Sequence, residues 1–246
     1  MAKTAIITGA SAGIGKALAM ELAKRGYDLG LLARRMDALE AVAAEIHAAH
    51  GHRVEVGALD VSRDQDVGPA LERLATKLGG VDVVIANAGI TAVNRTGAGD
   101  FEVDKRVIRT NLLGAMATID AAVRIFRAQG RGHVVGVSSV SAFRGIPGSG
   151  AYSASKAALT NYLDAARIEL RNKNVAVTVI HPGFVATEIS SNMEKMPFVI
   201  SAEAAAKDMA DAIEAKKADV VVPAWPWRLL APAMKLLPDR LIAKVF

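Results

Sequence analysis

The chain has no cysteine, which removes any disulfide framework, thiolate nucleophile or cysteine-held zinc or iron–sulfur centre and points to a reducing compartment. Aromatic residues are only 4% of 246 positions and no Lys/Arg run is present, so the stacking platforms and phosphate-tracking stripes of nucleic-acid binding are missing. No apolar stretch approaches the roughly 18 residues needed to cross a bilayer, and the start reaches the polar Gly9-Ala10-Ser11 too soon for the core of a signal peptide. Charged residues are sparse at 22% against 52% hydrophobic, with 21 glycines, too apolar for a disordered chain and too interrupted for a coiled coil. The expectation is a cytoplasmic globular protein of one domain over 1–246.

The formal charge is +5, and its placement says more than its sum. Residues 225–246 carry Arg228, Lys235, Arg240 and Lys244 against Asp239 alone. Four of the eight prolines and both tryptophans fall at or after Pro223, which marks 223–246 as an apolar, basic appendage.

Seven short aliphatic runs, at 4–8, 28–33, 53–58, 81–86, 133–137, 175–181 and 219–222, alternate with segments of helical period at 14–25, 36–49, 64–78, 104–127, 151–171 and 202–215. That alternation predicts a parallel α/β sheet. The runs are nearly continuous rather than alternating, as in Val83-Val84-Ile85, so helices are expected on both faces. Ser62-Arg63-Asp64-Gln65 reads as a capping box, and Gly26, Gly51, Gly79-Gly80 and Gly130 stand where helices end.

The first run passes through Thr8-Gly9-Ala10-Ser11-Ala12-Gly13-Ile14-Gly15 into a helix. Glycines there let backbone N–H groups and the positive helix end approach a pyrophosphate. A phosphate loop of the Gly-Lys-Ser/Thr type is excluded, because Ala17 follows Gly15-Lys16. The second run ends in Arg34-Arg35, where an acid would hold the 2′-hydroxyl of NAD and arginine would meet the 2′-phosphate of NADP; a solvated arginine pair is the plain alternative. Asp60 ends the third run's connection, placed either to accept from an adenine amino group or to shape a turn. Tyr152 and Lys156 share one helix face, where an ammonium lowers a phenol's pKa; a buried tyrosine beside a long lysine is the bland alternative. Ser138-Ser139-Val140-Ser141 follows the fifth run, at the sheet end where open α/β folds bind ligands. His47, His50 and His52 have tempting metal spacing, but no carboxylate or cysteine partner accompanies them, so a solvated helix end is expected and no metal.

Taken together over about 3–222, these segments resemble the short-chain dehydrogenase/reductase family in its compact, single-domain type. The likeness rests on Thr8-Gly9-x-x-x-Gly13-Ile14-Gly15, Asp60-Val61, Asn87-Ala88-Gly89, Asn111, Ser139, Tyr152-x-x-x-Lys156 and His181-Pro182-Gly183 through Thr187. Ala86 stands where a second Asn is common in the family. The resemblance implies a Rossmann-like, doubly wound parallel sheet of seven strands with helices on both faces and a C-terminal helical appendage. It implies that Tyr152 exchanges a proton with the substrate oxygen, that Ser139 hydrogen-bonds that oxygen, and that Lys156 lowers the Tyr152 pKa and binds the nicotinamide ribose. Asn111 would hold a water chain behind Lys156, which needs a local helix irregularity.

For the cofactor, the resemblance points to Gly9, Ser11, Gly13, Ile14, Gly15, Asp60, Val61, Asn87, Ala88, Gly89, Tyr152, Lys156, Pro182, Gly183, Val185 and Thr187, with NADP(H) preferred over NAD(H) on Arg34 and Arg35 alone, since Ala12 replaces the basic residue of many NADP-using relatives. It places a substrate lid within 187–215, where Met193, Met196 and Phe198 would cover a lipophilic carbonyl compound alongside Ser139 and Tyr152; ordinary helix packing is the alternative. A ketone reductase is implied, acting on a 3-oxoacyl or 3-keto sphingoid substrate, with a hydroxysteroid or general alcohol dehydrogenase as alternative. A nucleotide-sensing or scaffold protein without turnover is the alternative of another class. A homodimer or homotetramer is implied too. Residues 225–246 fit a subunit interface or pocket wall, a peripheral membrane contact, or a disordered end.

Overall fold

The structure is a computed structural model that describes residues 2–187, 198–240 and Ile242. Its strands are β1 (Lys3–Thr8), β2 (Tyr27–Ala33), β3 (Val54–Ala58), β4 (Val83–Ala86), β5 (Gly132–Val137), β6 (Val175–Pro182), β7 (Val185–Ala186), β8 (Ile200–Ser201) and β9 (Asp219–Val222). Its helices are α1 (Gly13–Lys24), α2 (Met36–His50), α3 (Asp64–Leu78), α4 (Phe101–Ile108), α5 (Gly114–Gln129), α6 (Gly150–Leu170), α7 (Ala202–Glu214) and α8 (Trp227–Ala233). Seven strands form one parallel sheet in the order β3-β2-β1-β4-β5-β6-β9, and β7 pairs with β8 apart from it. The order reverses between β1 and β4, and a crevice opens at the carboxyl ends of strands where the winding reverses.

The central strands are apolar on both faces through their middles because both faces are covered. Ala5 and Ile7 pack with Leu18 and Leu22 of α1, Ile46 of α2 and Met209 of α7. Ile6, between them, points the other way, into the cluster with Leu71 of α3, Phe126 of α5 and Leu163 of α6. Burying each such large side chain contributes roughly 1.5–3 kcal/mol, which fixes the strand register and with it the height of every loop at the sheet's carboxyl edge. Gly26, Gly51, Gly79 and Gly130 take positive φ after their helices, as expected.

Two expectations are corrected. The predicted helix over 104–127 begins earlier, at Phe101, and is broken by a π-turn, Arg109–Leu113, between α4 and α5. The capping box does not form: α3 starts at Asp64 with no side-chain cap, and the Ser62 hydroxyl turns back to donate to Asp60 Oδ1 at 2.8 Å. The helix starts one residue too late for the motif: Arg63, not Ser62, stands at the position before its first turn, so the serine is not placed to accept from the helix N–H groups and its hydroxyl bonds Asp60 instead. After β9 the appendage turns into α8 and a 3₁₀ turn, Met234–Leu236, whose Trp227, Ala231 and Met234 are buried against Val140 and Phe184. His47 and His50 lie in the exposed last turn of α2.

Candidate active site

The glycine loop is held by close approach as much as by turning. A side chain on Gly15 would stand 2.2 Å from the Gly9 carbonyl oxygen, and one on Gly9, whose φ is +72°, would stand 2.7 Å from Ala88 Cα. Asn87 Nδ2 clamps the loop from β4, donating to Thr8 O at 3.0 Å and to Gly9 O at 3.3 Å. Thr8 Oγ1 accepts from the backbone N–H groups of Asn87 and Ala88. Above this, α1 opens at Gly13 with no side-chain cap from Ala12 and no acid in its first turn, so the helix's own residues do not neutralise its positive end. A dinucleotide's phosphates fit that end.

Beside it, Arg34 and Arg35 are exposed at the end of β2. Arg35 donates to Ser11 Oγ at 3.4 Å, and Arg34 lines an open cleft of about 470 Å³ with Asp60, Arg63, Asp66 and Arg73. The cleft carries more cations than acids, which suits an anionic group. Asp60 Oδ1 also accepts from Ser62 N at 3.0 Å, so this carboxylate shapes the turn as well as lining the cleft. Val61 is buried next to it.

The other half of the crevice gathers side chains from four elements. Asn111 sits on the π-turn, fully buried; its Oδ1 accepts from Ile90 N and its Nδ2 donates to Ile90 O, both at 2.8 Å, with Ser155 Oγ at 3.4 Å. The extra residue of a π-turn re-aims one side chain inward. Here that side chain is the amide expected to need it. Gly89 lies between Asn111 and the Lys156 Nζ: a Cβ there would stand 3.3 Å from Asn111 Oδ1 and 3.6 Å from Nζ.

Lys156 is buried, donates to Val137 O at 2.8 Å, and places Nζ 5.8 Å from the Tyr152 ring centroid. Burial pushes its ammonium down to about 8. Tyr152 is held above the ordinary phenol range by burial, opposed by its hydrogen bond with Ser139. The lowering expected from Lys156 is therefore not what governs the phenol in this state, because Nζ is turned to the Val137 carbonyl. Ser139 Oγ also accepts from Ser141 N at 3.1 Å, capping the 3₁₀ turn Val140–Ala142.

The carboxyl end of β6 closes the far side. Pro182 ends the strand, Gly183 N donates to Val222 O at 2.7 Å, and Val185 is buried in β7. The Thr187 side chain lies within 3.4 Å of where a Cβ on Gly13 would be, so this segment reaches back to the glycine loop. Of the three lid residues, Phe198 is exposed, with its ring 6.4 Å from that of Trp227; Met193 and Met196 lie outside the described residues.

Three residues make contacts that went unforeseen. Ser155 donates to Tyr152 O at 2.7 Å and steadies the turn between Tyr152 and Lys156; a serine inside a helix, between two such residues, was the available signal. His181 Nδ1 lies 3.3 Å from Ser139 O, while its Nε2 bonds Asp219 Oδ2 at 3.1 Å and holds that carboxyl below its usual range. Ser138 Oγ is tied to Lys156 O and Thr160. The last two sets span 18 to 42 positions, and no local pattern announces them.

A family model described as short chain dehydrogenase matches residues 3–197. An uncharacterized oxidoreductase of Myxococcus xanthus (strain DK1622) is 39% identical over 242 residues, covering 97% of this chain and 94% of that protein. The 3-oxoacyl-[acyl-carrier-protein] reductase of Bos taurus is 33% identical over 195 residues, covering 79% of this chain and 81% of its own. Among solved structures, an alcohol dehydrogenase from the archaeon Thermococcus sibiricus, complexed with 5-hydroxy-NADP, has a TM-score of 0.81 at 31% identity, over 89% of this chain and 95% of that one.

Proposed function

Because this chain belongs to the short-chain dehydrogenase family, and is thereby an oxidoreductase that uses a nicotinamide nucleotide, we propose that it interconverts a ketone and a secondary alcohol, as an NADPH-dependent reductase. The bound nucleotide would supply the hydride; the protein's part is positioning and electrostatics. One arrangement carries the reading: Tyr152, whose phenol is influenced by the Ser139 side chain, stands one helical turn from the buried Lys156, with Nζ 5.8 Å from its ring, and Asn111 lies on the π-turn.

In this reading Ser139 hydrogen-bonds the carbonyl oxygen and aligns it on Tyr152, whose raised pKa keeps the phenol proton available for donation at neutral pH. Lys156 binds the nicotinamide ribose with the N–H donors not engaged by Val137, and Asn111 holds water behind it. The open glycine loop and the uncapped start of α1 take the pyrophosphate. Asn87, Ala88 and Gly89, with Pro182, Gly183, Val185 and Thr187, line the nicotinamide half. Arg34 and Arg35 favour NADP(H) over NAD(H) by meeting the 2′-phosphate, a preference supported by the cationic cleft beside them.

The substrate is proposed to be a lipophilic carbonyl of the 3-oxoacyl or 3-keto sphingoid type. The 3-oxoacyl reductase among the relatives supports that class, as do the apolar side chains of Val140, Phe184 and Trp227 next to Ser139 and Gly183. Assembly as a homodimer or homotetramer belongs to the same reading, supported by exposed Phe101, Leu113 and Ile168. A cytoplasmic setting belongs to it as well.

The reaction is tested by NADPH oxidation over a panel of short to long 3-oxoacyl thioesters, sphingoid ketones and steroid ketones. Turnover that depends on Tyr152 and rises with chain length is the expected result. Tight NADPH binding with no turnover on any compound would favour the sensor reading instead.

A further inference from the structure

The segment that follows β9 has two faces, and only one of them is used by the fold. Inward, Trp227, Ala231 and Met234 are buried against Val140 and Phe184, and Trp227 stands so close to Gly183 that a Cβ there would meet the indole nitrogen at 2.6 Å. That packing fixes the rotation of α8. Outward, it leaves Trp225 76%, Leu229 63% and Leu236 86% exposed, with Leu230 and Leu237 about 40% exposed beside them. Half of the large exposed hydrophobic side chains among the described residues fall in this short stretch. Monomeric proteins seldom concentrate apolar surface in this way without an occupant.

The charge around the patch has one sign. Arg228, Lys235 and Arg240 are exposed on the same segment. Its single acid, Asp239, is paired with Arg144 from the loop beyond the 3₁₀ turn that follows Ser139. We infer that 225–240 is a docking surface for an anionic lipid bilayer. Leucines and a tryptophan would enter the boundary between headgroups and acyl chains, and the arginine and lysine heads would meet lipid phosphates. The segment lies on the bilayer and does not span it: among the described residues no helix is long and apolar enough to cross. A second copy is the poorer occupant, because patch on patch would bring two sets of arginines and lysines together with no free acid between them. The inference is independent of the redox reading. It has a consequence for that reading all the same, since the layer beneath the patch is the one that adjoins Ser139 and Gly183, and a lipophilic substrate would reach the crevice from the lipid side.

The test is co-sedimentation of the full chain with phosphatidylcholine vesicles and with vesicles that also contain phosphatidylglycerol. The protein is expected to pellet with the anionic vesicles, to release as salt is raised, and to stay largely in solution with phosphatidylcholine alone. Leu229→Glu with Leu236→Glu should lower the vesicle-bound fraction about tenfold, and Arg228→Glu with Lys235→Glu should do the same for anionic vesicles. All four side chains are exposed, so both variants should melt with the wild type by circular dichroism. A wild type that melts cooperatively but never pellets would overturn the proposal, as would a leucine variant that pellets as well as the wild type. If the leucine substitutions split an oligomer in light scattering and leave vesicle binding unchanged, the patch belongs to a second copy and the lipid proposal fails.

Discussion

Two groups of cations face the crevice, and they differ in almost every physical respect. Lys156 is buried, holds a backbone carbonyl, and has its ammonium pushed down to about 8. Arg34 and Arg35 are exposed at a strand end, with a single 3.4 Å contact to Ser11. The low dielectric around Lys156 makes its charge both costly and strong, so small changes there move a proton. The arginines, exposed to solvent, act through screened contacts that salt weakens. On the proposed reading, the chemistry belongs to the dry end of the crevice and nucleotide selection to the wet end.

The comparison can be broken by experiment, starting with the largest expected effect. Tyr152→Phe should cost about 10²–10⁴ in kcat with NADPH affinity retained, because only the proton donor is removed; kinetics beside a fluorescence titration would check it. Changing Arg34 and Arg35 to Ala should weaken NADPH about tenfold to a hundredfold, the range for lost charge-assisted hydrogen bonds, and leave NADH nearly unchanged. Equal losses for both nucleotides would remove the arginines from selection. The pH profile of kcat/KM for reduction should fall as pH rises through about 8, where the free enzyme's Lys156 loses its proton, while the phenol, held higher by burial, remains protonated.

A smaller effect lies in stability. His133 is buried against Thr178, and burial together with Lys216 lowers its pKa to about 4. The unfolded chain, with an ordinary imidazole near 6.5, binds the proton first. Stability should therefore be full above about 6.5 and decline by up to about 3 kcal/mol as pH falls toward 4. A His133→Gln variant should show a flatter denaturation curve across that window, whatever its stability at neutral pH. The smallest effect expected is on salt: raising ionic strength should weaken NADPH more than NADH, since on the proposed reading only the 2′-phosphate of the former would meet the exposed arginines.

Much of this geometry was legible in the sequence, for identifiable reasons. Continuous runs such as Val83-Val84-Ile85 read as strands covered on both faces once they alternated with helical segments, and glycines at helix ends marked the boundaries. The glycine loop and the Tyr152 to Lys156 spacing are local patterns, and local patterns survive in a one-dimensional reading. The π-turn is different: the helical period runs unbroken through Arg109–Leu113, and only family resemblance suggested an irregularity near Asn111. The capping box failed because the helix starts one residue later than the motif needs, with Arg63 at the cap position and Ser62 drawn into a turn closed by Asp60. The turning of Lys156 toward Val137, and the bond from His181 to Asp219, depend on which strands become neighbours. Sequence pattern carries no information about those partners until the sheet order is known.

The central claim is that Tyr152 donates the proton in an NADPH-dependent ketone reduction, and single-turnover NADPH oxidation tests it most directly. Wild type and Tyr152→Phe would be loaded with NADPH to equal occupancy and mixed with a long-chain 3-oxoacyl thioester. The account predicts rapid loss of the reduced nucleotide in the wild type and a rate lower by about 10²–10⁴ in the variant. Equal rates in the two proteins would contradict it.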